Sequence, residues 1–570
     1  MVRPLPAALA LVTLLTAGQS ALAGGPLERP AVSEFEARGE LLVDFEDDVD
    51  QPEARDILAN LAVEMFPAES FARTATVVVR AAPTRLDELL RTLERNRRVE
   101  IVEPNHRVFA AFVPNDPLLS EQWNFTRVRA QRAWDFSTGR GVTVAVVDTG
   151  IACETFGPFQ KASDLGSTRC APGFDFVNRR EHVADDNGHG THVAGTIAQS
   201  TNNSIGAAGI AFDARLMPVK VLSGDGWGTF AQVADGIRWA ADNGAQVINL
   251  SLGGPFRSRV VEKAVAHARS RGVVVVAAAG NSAGPVEYPG ASPGVIGVSA
   301  TDSDDDLAWF SSRGPEVDIA APGVDVIQQT VCDGGHNGCE QFPRYSGTSM
   351  ASPHVAGAAA LLMSLGVTRP EAVEAHLLAS ARVAASSSAS PATHGAGVLD
   401  AGAAVARAAS HRVVARLLSL ALALFVVFRW VRRRDGTIAT PWRARLLVPA
   451  LLTGPGLLFF APFIAPRTVG VVDLLARPLA DWDLLVAPAV HAFLPLGSFA
   501  VPFGLTVLLL GVRGARLPLA GVSIGTASTL VATALLGDHH FPVNATLGAA
   551  WCLLNAALSV ALARIVLRRA

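Results

Sequence analysis

The alternation of apolar and polar residues changes character twice along the chain. Over residues 24–113 it is mixed: 40–45 and 76–79 read as strands, the apolar residues of 86–93 recur at helical spacing, and 99–105 predicts a strand ended by Pro104. These make a small α+β unit without a cluster of candidate catalytic residues. Over 114–406, short β-branched runs at 142–147, 219–222, 247–252 and 273–279 are bounded by Gly or Asp and separated by helical patterns such as 230–242 and 260–271. Strands that are apolar throughout and alternate with helices predict an α/β domain, a parallel sheet flanked by helices. Function in such sheets gathers in loops at the carboxyl ends of the strands. An Ala/Ser-rich stretch, 381–410, closes this domain and links it to an all-α remainder, 407–570.

That remainder carries apolar runs at 413–431, 446–466, 484–511, 517–537 and 543–567, each long enough to cross a hydrocarbon core of about 30 Å. With the α/β domain outside, Arg429, Arg432, Arg433, Arg434, Arg443 and Arg445 fall inside, and the connection 467–483 with Asp473, Asp481 and Asp483 falls outside. Arg513 and Arg516 return inside, Asp538 outside, and Arg564, Arg568 and Arg569 inside. Five transmembrane helices therefore satisfy the positive-inside rule at every connection and leave the C-terminus cytoplasmic. The run 484–511 holds Pro488, Pro495 and Pro502, which equally suit a broken or re-entrant helix. His491 is the one ionisable side chain near the middle of an expected span. At the other end, Arg3, the apolar run 5–17 and Ala21-Leu22-Ala23 read as a secretory signal over 1–23.

Composition and charge support this division. Half of the 570 residues are apolar, 17% are charged and the mean hydropathy is +0.31, which excludes a disordered chain and fits poorly with a wholly soluble one. The net charge of -3 hides an asymmetry: 412–570 holds 15 Arg, no Lys, 5 Asp and no Glu, leaving 33 basic and 46 acidic residues before it. Nothing forms a basic stripe for nucleic acid. The Ala/Arg-rich composition and the style of the signal point to a bacterium. Four of five cysteines fall in two local couples, Cys153 with Cys170 and Cys332 with Cys339. Each couple would close a short loop in an oxidising compartment, free buried thiols being the other reading. Cys552 lies in an apolar run.

Three motifs in the α/β domain carry candidate chemistry. Asp148-Thr149-Gly150 puts an Asp at the end of a buried strand. Gly188-His189-Gly190-Thr191-His192 puts a His where a glycine-rich loop enters a helix, and Gly347-Thr348-Ser349-Met350-Ala351 puts a Ser at another helix start. Singly each has a plain reading: a strand-ending turn, a structural His, a helix cap. Together, in the order Asp, His, Ser, they describe a nucleophile, its base and a residue that orients the base.

In these motifs, and in the closing Gly395-Ala396-Gly397-Val398-Leu399-Asp400-Ala401, the chain resembles the subtilisin-like serine proteases from about Asn115 to Ala406. The resemblance implies that Ser349 is the nucleophile, His189 the general base and Asp148 its support; residue spacing alone does not choose His189 over His192. Ala279-Gly280-Asn281 matches the family's oxyanion donor, so Asn281 would hold the developing negative charge beside the backbone N–H of Ser349. Gly226-Trp227-Gly228 and Ser251-Leu252-Gly253 resemble the strands between which an extended peptide is held, and Glu287 falls near the specificity pocket. The resemblance implies protein or peptide substrates and no cofactor for the chemistry.

Thr201-Asn202-Asn203-Ser204-Ile205-Gly206 resembles the family's calcium loop, with Asn203 as a ligand of a structural calcium, an ordinary turn being the other reading. The carboxylate expected soon after Asp148 is out of register, because the Cys153–Cys170 segment intervenes. The unit 24–113 resembles the family's propeptide, which implies a ferredoxin-like fold, assistance in folding, and inhibition until self-cleavage near 109–114. The expectation is an exported, membrane-anchored serine endopeptidase seated in the lipid bilayer. A second reading is a polytopic membrane sensor or transport component whose protease domain processes one dedicated membrane partner.

Overall fold

The computed structural model describes residues 36–568, except 60, 62, 68–70, 83–84, 107–112, 337–340, 385–388, 436–443, 461–462, 464–474, 478–499, 513 and 538–544. The signal segment, Cys339, His491 and the cleavage region up to 112 fall outside the described residues. The chain forms two units, Met1–Ala110 and Ala111–Ala570.

In the first unit, strands β1 (Glu36–Phe45), β2 (Glu64–Pro67), β3 (Thr76–Arg80) and β4 (Val99–His106) form an antiparallel sheet in the order β2-β3-β1-β4. Helices α1 (Gln51–Leu58) and α2 (Leu86–Leu93) complete the ferredoxin-like order β1-α1-β2-β3-α2-β4. The core is Leu41, Val43, Phe45, Val77, Val79, Leu89 and Leu93. Pro104 does not end β4 as expected: it pairs opposite Leu41 and the strand runs on to His106. Because β4 is an edge strand, a residue without an N–H is tolerated there.

The second unit is built on β5 (Thr143–Asp148), β6 (Arg215–Lys220), β7 (Val247–Leu250), β8 (Val274–Ala278), β9 (Ile296–Thr301) and β10 (Ile319–Pro322), all parallel, in the order β10-β9-β8-β7-β5-β6. Short strands Arg169–Cys170 and Phe174–Asp175 pair with β6. Alternate residues of β5 serve two cores. Val144 and Val146 pack with helices α4 (His189–Ala198) and α7 (Thr348–Ser364), and Ala145 and Val147 pack with α5 (Phe230–Asp242) and α6 (Arg259–Ser270). The chain leaves β5 for β6 on one side and returns for β7 on the other. The crevice at the carboxyl end of β5 is therefore the switch point where such folds bind ligands.

The expected boundary at 406 is absent as a structural break. Helix α9 runs uninterrupted from Ala401 to Asp435, and its N-terminal turns pack on α3 (Ala130–Trp134), α7 and α8 (Pro370–Ala379). Beyond it lie α10 (Ala444–Thr453), α11 (Ala500–Leu509), α12 (Arg516–Leu536) and α13 (Ala545–Arg568). Leu420, Ala423 and Val427 of α9 share a core with Leu446, Ile524 and Ala563. Among the described residues, three helical stretches are long and apolar enough to cross a membrane: Ala401–Trp430, Arg516–Leu536 and Leu547–Leu567. Two expected spans are not seen as such. In the run 446–466 the helix that begins at Ala444 ends at Thr453, before Gly454-Pro455-Gly456, and residues 461–462 and 464–466 fall outside the described residues; the run 484–511 is described only from Ala500.

Candidate active site

Asp148 ends β5 and is fully buried. Its Oδ1 accepts hydrogen bonds from the backbone N–H of Thr149 at 2.7 Å and from His189 Nδ1 at 2.7 Å. His189 opens α4, with its side chain 28% exposed toward the crevice. Burial disfavours its imidazolium, but the charge and hydrogen bond of Asp148, with a further contribution from Asp185, outweigh that and hold its pKa above the ordinary imidazole value. His192, one turn on, behaves oppositely. It is buried against Tyr345, its Nε2 donates to the Pro343 carbonyl at 3.2 Å, and desolvation pulls its pKa down to about 3. The geometry thus separates two histidines that spacing could not.

Two residues the motifs did not single out shape this corner. Asp185 accepts hydrogen bonds from the N–H groups of Asn187, Gly188 and Thr191 and from the hydroxyls of Thr149 and Thr191. It thereby fixes the turn that delivers His189. Lys220 is fully buried at the end of β6. Its Nζ donates to the carbonyls of Thr149 and Leu222 at 2.6 and 2.7 Å and to Asp186 Oδ1 at 2.7 Å. One ammonium thus joins the segments that follow Asp148, precede His189 and lead to Gly226.

Ser349 lies in the first turn of α7. Its Oγ donates to the Ser251 carbonyl at 3.2 Å, while Ser251 Oγ donates to the Ser349 carbonyl at 2.8 Å. Among the described residues no hydrogen bond joins Ser349 to His189. Asn281 follows the turn at Gly280, whose φ of +107° suits glycine. Its Oδ1 accepts from the backbone N–H of Thr348 at 2.8 Å and from its hydroxyl at 3.0 Å. The amide orientation follows: Oδ1 is occupied, and the Nδ2 donors are left for another partner.

Two cavities flank Ser251-Leu252-Gly253. One, of about 450 Å³, is lined by His189, Gly226, Trp227, Gly228, Leu252 and Tyr288 among others. The other, of about 350 Å³, is lined by Leu252, Gly253, Gly280, Asn281, Glu287 and Ser349 among others. The carboxylate of Glu287 sits between two glycine backbones: a Cβ on Gly253 would lie 3.0 Å from its Oε2, and one on Gly280 2.5 Å from its Cδ. Among the described residues no cation pairs with it.

The family model for the subtilase family matches residues 139–401. A thermophilic serine proteinase of Bacillus sp. (strain AK1) is 38% identical over 332 residues, covering 58% of this chain and 79% of that protein. The chain belongs to the subtilase family. Thermitase of Thermoactinomyces vulgaris is 42% identical to this subtilase over 257 residues, 45% of this chain and 87% of thermitase. Subtilisin Savinase of Lederbergia lenta is 46% identical over 245 residues, 43% of this chain and 84% of that protein. The subtilase is a subtilisin-like serine endopeptidase, and protein or peptide chains are its substrates.

The loop at 201–206 meets a carboxylate from elsewhere in the chain that its sequence does not show. Asn202 and Ser204 adopt left-handed conformations, and Asn203 Nδ2 donates to Asp164 Oδ1 at 2.8 Å. Asp164 lies inside the Cys153–Cys170 segment, so the intervening chain itself supplies a carboxylate. Asp116 is close by, accepting from the N–H groups of Asn202 and Asn203. Burial pushes the Asp164 carboxyl up to about 7. Among the described residues no three His, Cys, Asp or Glu side chains cluster as a metal site. The carboxylates of Asp164 and Asp116 thus stand beside Asn203, whose Oδ1 accepts from the N–H of Ile205; carboxylate and amide oxygens are the ligand types calcium takes. A disulfide joins Cys153 to Cys170. Cys332 is also disulfide-bonded, its expected partner Cys339 falling outside the described residues.

Proposed function

We propose that this subtilase is an exported, membrane-anchored endopeptidase, made as a self-processing precursor, that cuts peptide bonds through an acyl-enzyme on Ser349. The observation that carries the reading is the 2.7 Å bond from His189 to the buried Asp148, across the crevice from a serine in the first turn of α7. Attack requires Ser349 Oγ to turn from the Ser251 carbonyl toward His189 Nε2. Its proton passes to Nε2 as the Oγ–C bond forms, and Asp148 stabilises the imidazolium without accepting the proton. The oxyanion takes hydrogen bonds from Asn281 Nδ2 and the Ser349 N–H, at a helix N-terminus whose dipole favours negative charge. His189 then protonates the leaving amine as the C–N bond breaks. Water deacylates the serine by the same route in reverse.

The backbones of 226–228 and 251–253 bind the peptide as an added strand. Glu287, in the cavity beside the nucleophile, selects a basic side chain at the residue whose carbonyl is cut. Asn203, Asp164 and Asp116 hold a structural calcium that stiffens the loop and takes no part in the chemistry. The ferredoxin-like unit is the propeptide, and the Cys153–Cys170 disulfide fits an oxidising, extracytoplasmic location. The test is intact mass and N-terminal sequence of the exported protein, wild type against Ser349→Ala. A new N-terminus near 109–114 is expected in the wild type and not in the variant. Identical cutting of both assigns processing to another protease, and cutting of neither removes the propeptide reading.

A further inference from the structure

Helix α7 links the nucleophile at one end to the anchor contacts at the other. Ser349 lies in its first turn and Ser364 is its last residue. The Ser364 carbonyl accepts from Arg477 Nη1 at 3.1 Å, and two residues on, the Gly366 carbonyl accepts from Arg412 Nη1 at 2.9 Å. Arg369, which precedes α8, lies against Gly537, the cap of α12: a Cβ on Gly537 would fall 2.7 Å from Arg369 Nη1. Beside them Phe136 meets Phe463 edge-on at 5.3 Å. Phe136, Ser364, Gly366 and Arg369 thus mark the face of the catalytic domain that rests on the apolar helices.

The active site lies at the opposite pole. Fifteen residues of α-helix between Ser349 and Ser364 rise about 22 Å. The sheet agrees in direction: Ser364 Oγ donates to the carbonyl of Arg140, just before β5, whereas Asp148 stands at the carboxyl end of that strand. Along α9 no proline, and no glycine after its second residue, marks a point where the domain could tip. Helix α9 continues from the catalytic domain into the first apolar stretch, and Gly402 is its last glycine; no proline follows before Asp435.

We propose that the apolar helices hold the cleft facing away from the bilayer. The substrates are then soluble exported chains or the outer parts of ectodomains, and the juxtamembrane stalks of neighbouring membrane proteins are excluded. This rests on the membrane-anchored endopeptidase reading. A fully extended chain advances at most about 3.6 Å per residue, so roughly six residues are needed merely to reach the level of Ser349, before those that fill the cleft.

The test uses the full chain reconstituted in phosphatidylcholine–phosphatidylglycerol vesicles with a single-span protein that displays one cleavable segment. A Gly/Ser spacer of about 4 or about 30 residues separates the segment from its span; the longer one has a root-mean-square reach of about 30 Å. The expected result is cleavage on the long spacer and at least about ten-fold slower cleavage on the short one. Adding detergent, which frees the short-spacer substrate from the shared surface, should abolish the difference. Equal rates on both spacers, with the free peptide cleaved and the enzyme resistant to carbonate extraction, overturn the orientation alone. Failure to cleave the free peptide, or release of the enzyme by carbonate, overturns the endopeptidase or the anchoring reading and the proposal with it.

Discussion

Glu287→Gln should strip this subtilase of its preference for lysine or arginine before the cut while leaving its chemistry intact. The carboxylate lines the 350 Å³ cavity that also contains Ser349 and Asn281, and among the described residues no cation neutralises it. An ammonium about 4 Å away gains about 4 kcal/mol at an effective dielectric constant of 20. Desolvating both ions returns part of this, and hydrogen bonds to charged groups net about 1.5–3 kcal/mol. At 1.36 kcal/mol per decade this corresponds to about a 10–150-fold advantage in kcat/KM over a neutral side chain of similar length. The assay is hydrolysis of tetrapeptide anilides that differ only in the last residue: Lys, Arg, Leu or Glu. Glu287→Gln keeps the shape of the side chain, so the Lys:Leu ratio should fall by about 10–100-fold while the Leu substrate changes little. The wild-type ratio should also fall as salt rises, since the cavity opens to solvent. A wild type that prefers Leu, or a ratio unmoved by the substitution, would refute the assignment.

Other substitutions separate the remaining roles. Asp148→Asn removes the charge that supports His189, and a kcat loss of about 10⁴-fold is the usual cost of that change in such a triad. Because the base must be neutral and its pKa is raised, wild-type kcat/KM should fall with decreasing pH along a limb above the ordinary imidazole value, and the variant's limb should shift downward. Asn281→Ala should lower kcat by about 10²–10³ with little change in KM, the range typical for one oxyanion donor. Lys220→Met leaves two carbonyls and a carboxylate without their buried cation. Asp186 is partly exposed and keeps some of its solvation, so the cost falls on the stranded carbonyls; a stability loss of about 1–3 kcal/mol follows, read as a drop in the denaturation midpoint. Chelation of calcium should lower Tm in the wild type and have little effect in Asp164→Asn, the two starting from different baselines.

Sequence alone carried much of the catalytic domain because its features are local. A strand apolar on both faces needs only a run of β-branched residues, and the Asp, His and Ser motifs each sit within a few residues of a strand end or helix start. What escaped notice depends on contacts distant in sequence. Nothing marks Asp185 apart from the adjacent Asp186, yet only the former gathers five hydrogen bonds around the His189 turn. Lys220 reads as the charged end of a strand, and only the packed structure shows its Nζ among three acceptors. Asp164 is far from Asn203 along the chain, and only the fold brings the two side chains into hydrogen-bond contact. The Ala/Ser-rich stretch 381–410 looked like a linker by composition, but alanine is the best helix former, and its last ten residues, from Ala401, open α9. Counting apolar residues over 446–466 likewise overlooked Gly454-Pro455-Gly456, whose backbone cannot continue a helix.

The unbroken course of α9 constrains how this protein's length can vary. Each residue of an α-helix turns the chain by about 100°. One residue inserted between Arg412 and Leu420 would swing Arg412, with its hold on the Gly366 carbonyl, by that angle relative to Leu420, Ala423 and Val427, which are buried among the apolar helices. Insertions or deletions of about seven residues, near two full turns, come closest to restoring both faces at once. The segment between the two halves is therefore phase-locked, and its length should change by whole turns where it changes at all.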